Sequence, residues 1–134
     1  MRKSASEIIN NLENRIARLE KKAMPMGRVP GDRNRGHQLM PKGVGRKIPA
    51  LYSQDGNEDP IVHARFFSPY NGWTWLVTEY DGKETMFGAV KGMYDWELGY
   101  IDLNELQSTN RNGLPMVERD MYFKPMPLSR AKKQ

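Results

Sequence analysis

At 134 residues with 38% apolar side chains and a mean hydropathy of -0.77, the chain suffices for one domain but is too polar for all of it to enter a core. Two histidines and no cysteine exclude disulfides and thiolate metal centres, and make a histidine zinc site a poor fit. No run approaches the ~18 apolar residues of a membrane span and no apolar signal core opens the chain, so a soluble, intracellular protein without a cofactor is expected.

The net charge of +5 conceals a segregation. Residues 1–23 carry six basic and three acidic side chains, and residues 24–47 carry six basic and one acidic. Residues 48–123 reverse the balance, with five basic against twelve acidic, and residues 124–134 carry four basic and no acidic side chains. An acidic body with basic extremities follows, so a polyanion would be met by the arms and not by the body.

Ser4 and Glu7 have the spacing of a capping box, in which each side chain satisfies a backbone donor at the other's position. A helix over about Ala5 to Lys22 follows, with Ala5, Ile9, Leu12, Ile16, Leu19 and Ala23 on one face. Isoleucine at a and leucine at d favour a parallel two-stranded coiled coil, with Arg15 and Glu20 placed to attract across it. The stripe is under three heptads, so packing on the acidic domain or on another protein is the competing reading.

Between Met24 and Lys47, three prolines and five glycines oppose helix and strand alike. Arg28, Arg33, Arg35, Lys42, Arg46 and Lys47 punctuate the stretch, which reads either as a solvated linker or as an extended arm laid along phosphates or an acidic protein.

The domain is expected from about Ile48. Ile61 to Phe67 is β-branched and aromatic, bounded by Pro60 and by the turn residues Ser68 to Gly72. Trp73 to Tyr80 and Lys83 to Val90 flank Asp81-Gly82, a strong hairpin signal. Alternation puts Trp73, Trp75 and Val77 on one face, expected to be the buried one, and Thr74, Leu76 and Thr78 on the other. Leu98 to Ile101 makes a further strand. Asp102 with Glu105 repeats the capping pattern for a helix over Leu103 to about Ser108. Leu114 to Phe123 reads as strand or extended chain, and the tail from Pro125 as irregular. The expected fold is α+β: a small, mainly antiparallel sheet with one short helix, preceded by the amphipathic helix and basic arm. Its divisions are 1–23, 24–47, an acidic domain over 48–127 and a basic tail over 128–134.

Several short elements in one order, Pro49-Ala50-Leu51-Tyr52, Phe67-Ser68-Pro69, Gly72-Trp73-Thr74-Trp75, Thr78-Glu79-Tyr80-Asp81-Gly82, Phe87-Gly88, Glu97-Leu98-Gly99-Tyr100, Leu103-Asn104-Glu105-Leu106 and Glu118-Arg119-Asp120, resemble the bacterial family termed domain of unknown function 2958. The resemblance covers about residues 48–123. It implies a bacterial, plasmid or phage setting tied to mobile DNA, in bacterial cytoplasm or virion, and it supplies no activity and no site residue.

Three functional classes remain. Catalysis would rest on Glu79, Asp81, Glu97, Glu118, Arg119 and Asp120, yet Asp81 reads as a turn residue, Glu79 as solvent-facing and Glu118-Arg119-Asp120 as an ion-paired strand end. His63, alone in a strand, reads as structural, and no phosphate-loop, metalloprotease or nucleophile-elbow motif occurs. Sequence-independent nucleic-acid binding would use Arg28, Arg33, Arg35, Lys42, Arg46 and Lys47, although Tyr70, Trp73, Trp75 and Trp96, which could stack on bases, sit in the acidic body. A non-enzymatic accessory or assembly role, with a protein partner or a second copy held by Ile9, Leu12, Ile16 and Leu19 and by the arm, uses the helix, the arm and the segregated charge together.

Overall fold

A computed structural model describes residues 37–111 and 114–134 of the chain. The expected N-terminal helix, the arm up to residue 36 and the candidates Ile9, Leu12, Ile16, Leu19, Arg28, Arg33 and Arg35 lie outside the described residues.

The first element is a turn of helix, α1 (Lys42–Gly45), followed after a loop by β1 (Ile61–Val62) and β2 (Ala64–Phe67). Next come β3 (Thr74–Tyr80), β4 (Thr85–Lys91), β5 (Trp96–Asp102), α2 (Leu103–Ser108), β6 (Asn110–Arg111), β7 (Leu114–Pro115), β8 (Glu118–Arg119), β9 (Met126–Pro127) and α3 (Leu128–Ala131). Five strands form one antiparallel sheet in the order β5-β4-β3-β2-β8, and the pairs β1-β9 and β6-β7 stand apart from it. The fold is α+β, as expected. Among the described residues no helix is long and apolar enough to cross a membrane.

The hairpin forms about Asp81-Gly82 because local chemistry closes it. Asp81 Oδ1 accepts from the backbone N–H groups of Lys83, Glu84 and Thr85 at 2.8, 2.8 and 3.0 Å, and Gly82 takes a φ of 84° that other residues resist. The Asp102 cap is likewise made, its carboxylate accepting from Asn104 N at 2.9 Å.

Alternation along β3 holds, but its consequence differs from expectation. Phe66, Val77, Met86 and Ile101 build one core with Leu39, Leu103 and Leu106, while Leu76 and Ala89 build a second with Val62, Leu128 and Ala131. Both faces of β3 are therefore covered, and Leu76 is as buried as Val77, whereas Trp73 and Trp75 are only half-buried. A strand enclosed on both sides loses the contrast from which one buried face is read. The cover comes from segments without strong signals. Leu128 and Ala131 belong to α3, so the tail from Pro125 is ordered structure and not irregular chain.

A register shift between Val77 and Glu79 bends β3. Gly88, opposite Val77, faces this bulge so closely that a Cβ would lie 1.8 Å from the Leu76 carbonyl oxygen. That contact is with backbone, and adding a methyl group would cost at least the ~1–3 kcal/mol typical of overpacking.

The stretch read as linker or arm is also corrected at its end. Leu39 is completely buried, and Met40 and Val44 pack against the same core. Lys42–Gly45 forms a helical turn even though Pro41, Gly43 and Gly45 oppose one: Pro41 precedes the first turn, where its missing N–H is no loss, and its carbonyl accepts from Val44 N and Gly45 N at 3.0 Å.

Candidate functional site

The strand expected over Ile61 to Phe67 divides at His63, whose backbone N–H donates to Val77 O at 2.8 Å while β1 leaves the main sheet to pair with β9. On the other side of β2, Phe66 faces Arg119 of β8, and the edge beyond β8 is closed by the chain entering the domain. Arg119 N donates to His37 Nε2 at 3.1 Å, and Arg119 Nε donates to the Gln38 carbonyl at 3.2 Å. These contacts hold the segment leading into α1 against the β2-β8 edge.

A cavity of about 390 Å³ opens between them. Its polar wall is Lys47, His63, Arg119 and Asp120; Pro41, Val44, Met121 and Phe123 contribute apolar surface. Asp120 is turned toward Arg65, whose Nη1 lies 3.5 Å from Oδ2, and its other oxygen accepts from Tyr122 N at 3.0 Å. Arg119 makes no ion pair with a described carboxylate. The cavity thus holds two cations, Lys47 and Arg119, against one carboxylate, Asp120, which is paired with Arg65.

Burial pushes the His63 imidazole below the usual histidine pKa, which keeps it neutral at pH 7, and among the described residues neither ring nitrogen has a hydrogen-bond partner. Burial also lowers the Arg119 pKa, though a guanidinium stays protonated at neutral pH. The volume falls within the range of small-ligand sites, and the chemistry suits a ligand with an anionic group and an apolar body.

The structure divides the expected polyanion set. Lys47 lines this cavity, whereas Lys42 and Arg46 border a separate one of about 250 Å³ beside Tyr80 and Gly82. Arg119, expected in an ion-paired triplet, is the cation that joins Lys47. Period-two alternation would not have found it, since the strand is only Glu118–Arg119 and Asp120 lines the same cavity as Arg119. His63 reached the cavity by a strand break that has no sequence mark.

The carboxylates considered for catalysis are dispersed. Glu79, expected to face solvent, is completely buried, with its oxygens accepting from Tyr52 N at 2.7 Å and Gln54 N at 2.9 Å. Asp81 closes the turn, and Glu97 is an exposed residue of β5. Among the described residues no three His, Asp or Glu side chains converge as metal ligands. The aromatics are divided too. The Trp73 and Trp75 rings lie 6.1 Å apart with Trp75 packed on one core, while Trp96 packs on the other with Lys91 Nζ 5.9 Å from its ring centre.

Fold and site together define an α+β domain built on an antiparallel sheet, with a cation-lined cavity at one sheet edge. The chain belongs to the family described as "Protein of unknown function (DUF2958)", whose model matches residues 39–132. That match begins at the buried Leu39 and ends within the turn after α3, so it takes in both covering segments. No curated protein and no solved structure gives a significant match.

Proposed function

We propose that this chain is a non-enzymatic accessory protein that holds an acidic segment of a protein partner in the Lys47-His63-Arg119 cavity. The observation that carries the reading is the convergence of Lys47 and Arg119 on a cavity with apolar walls, where the lining carboxylate, Asp120, is paired with Arg65. A carboxylate-bearing chain would meet charge at the polar wall and bury apolar side chains on Pro41, Val44, Met121 and Phe123. Arg28, Arg33 and Arg35 would extend the electrostatic contact, and Ile9, Leu12, Ile16 and Leu19 would dock apolar surface of the same partner. The phage or mobile-element setting is part of this proposal and rests on the family resemblance alone.

Catalysis fits less well, because a general base needs a partner to fix its tautomer and His63 has none among the described residues. The test is fluorescence anisotropy with a short labelled peptide of glutamate and leucine, compared with its glutamine counterpart and with duplex DNA. The acidic peptide is expected to bind, with affinity reduced roughly tenfold or more by Lys47→Glu, a loss of about 1.4 kcal/mol. Equal affinity for the glutamine peptide, or no effect of Lys47→Glu, would reject the reading. Preference for DNA with a steep salt slope would transfer it to nucleic-acid binding.

A further inference from the structure

The charge balance of the Lys47-His63-Arg119 cavity narrows what its ligand can be. Lys47 and Arg119 line it as cations, and neither forms an ion pair among the described residues. The lining carboxylate, Asp120, is offset by Arg65 at 3.5 Å, and its other oxygen accepts from Tyr122 N. The polar wall therefore keeps an excess of two positive charges. A single ligand carboxylate would balance one of them. A phosphoryl group on a side chain carries about −1.5 to −2 charges at pH 7 and would balance both.

The donors lead to the same ligand. Arg119 Nε already donates to the Gln38 carbonyl at 3.2 Å, and Arg119 N donates to His37 Nε2 at 3.1 Å, so the guanidinium is held before a ligand arrives. A cation fixed in advance removes ordering cost from an association. With Nε engaged, the two Nη groups remain as donors without a partner among the described residues. Lys47 adds an ammonium group, and the neutral His63 imidazole adds one ring N–H. Three side chains thus offer donors on one wall. A carboxylate has two oxygens for them, whereas a phosphoryl group has three. The volume of about 390 Å³ exceeds what an isolated anion fills, and the apolar wall of Pro41, Val44, Met121 and Phe123 would be left uncovered by inorganic phosphate.

We infer, building on the acidic-segment reading above, that the anionic group taken by Lys47 and Arg119 is the phosphoryl group of a phosphorylated side chain in the partner segment. Capture is then switched on by modification of the partner. Arg119 supplies the paired N–H donors that suit phosphoryl oxygens, Lys47 the second charge, and the apolar wall covers the residues beside the modified one.

The experiment titrates the full chain by fluorescence anisotropy with the glutamate-leucine peptide, its central glutamate kept or replaced by phosphoserine or phosphotyrosine. At least one phosphopeptide is expected to bind about tenfold or more tightly than the glutamate peptide. Lys47→Met and Arg119→Lys should each bring that ratio toward one, with unchanged melting temperature as the control for folding. Binding of all three peptides with equal affinity would overturn the phosphoryl assignment and leave the acidic-segment reading in place. Binding of none would reject both. A ratio that neither substitution changes would place the phosphoryl group elsewhere and overturn the inference. So would inorganic phosphate that displaces the phosphopeptide at concentrations near the peptide's own Kd, because the apolar wall would then contribute nothing.

Discussion

Glu79 and His63 show how little a residue's type fixes its environment. Glu79 lies in the period-two run of β3, where a carboxylate ordinarily marks the solvent face. Here the loop over residues 50–57 folds across it and presents two N–H donors, so a buried carboxyl group gains the hydrogen bonds that burial requires. His63 is half-buried among Lys47, Arg119 and Asp120, and burial lowers its pKa from the usual histidine value of about 6.5. Because the unfolded chain then binds the proton more readily than the folded one, stability should be full above about pH 6.5 and decline as pH falls through that value. His63→Gln should flatten that part of a melting temperature-pH profile between pH 5 and 7.5. The same protonation adds a cation to the cavity, so affinity for the acidic peptide should rise over the window in which stability falls. Affinity that stays constant from pH 7 to 5 would remove His63 from the site.

Elements in this fold are completed by residues distant in sequence. α2 has a local cap, and its span of Leu103–Ser108 could be read from Asp102 and Glu105. α3 has none: Pro127 stands at its N-cap position without a side-chain bond, and the donors of Ser129 are taken by Asp59, with N to Oδ1 at 2.8 Å and Oγ to Oδ2 at 2.6 Å. Those bonds, led by the Ser129 hydroxyl, hold the Asp59 carboxyl below the usual aspartate range. A carboxylate with a lowered folded pKa stabilises above its unfolded value, and that contribution disappears as pH falls below about 4. Asp59→Ala should accelerate amide exchange across Leu128–Ala131 while leaving β3 and β4 protected. Uniform loss of protection would instead mean that α3 does not open separately.

For the whole molecule, charge is distributed in space as well as along the chain. The cationic cavity lies by β2 and β8, and the exposed Glu97 lies on β5 at the opposite edge of the sheet. The N-terminal stripe extends the partner contact in our proposal, and Leu12→Asp with Leu19→Asp should abolish capture of the partner from its host while the domain keeps its melting temperature. Retained capture would remove the stripe from the interface.

Elements with a local cause were legible in the sequence: the Asp81-Gly82 hairpin through its turn chemistry, α2 through its cap, and the β3 alternation through side-chain geometry. The ordered family motifs identified the domain for the same reason, because they record local pattern. The covering of both sheet faces by Leu39 and Leu128, the burial of Glu79 and the meeting of Lys47, His63 and Arg119 were decided by tertiary structure. Each depends on which distant segment folds over which strand, and a single chain's spacing contains no term for contacts between residues tens of positions apart.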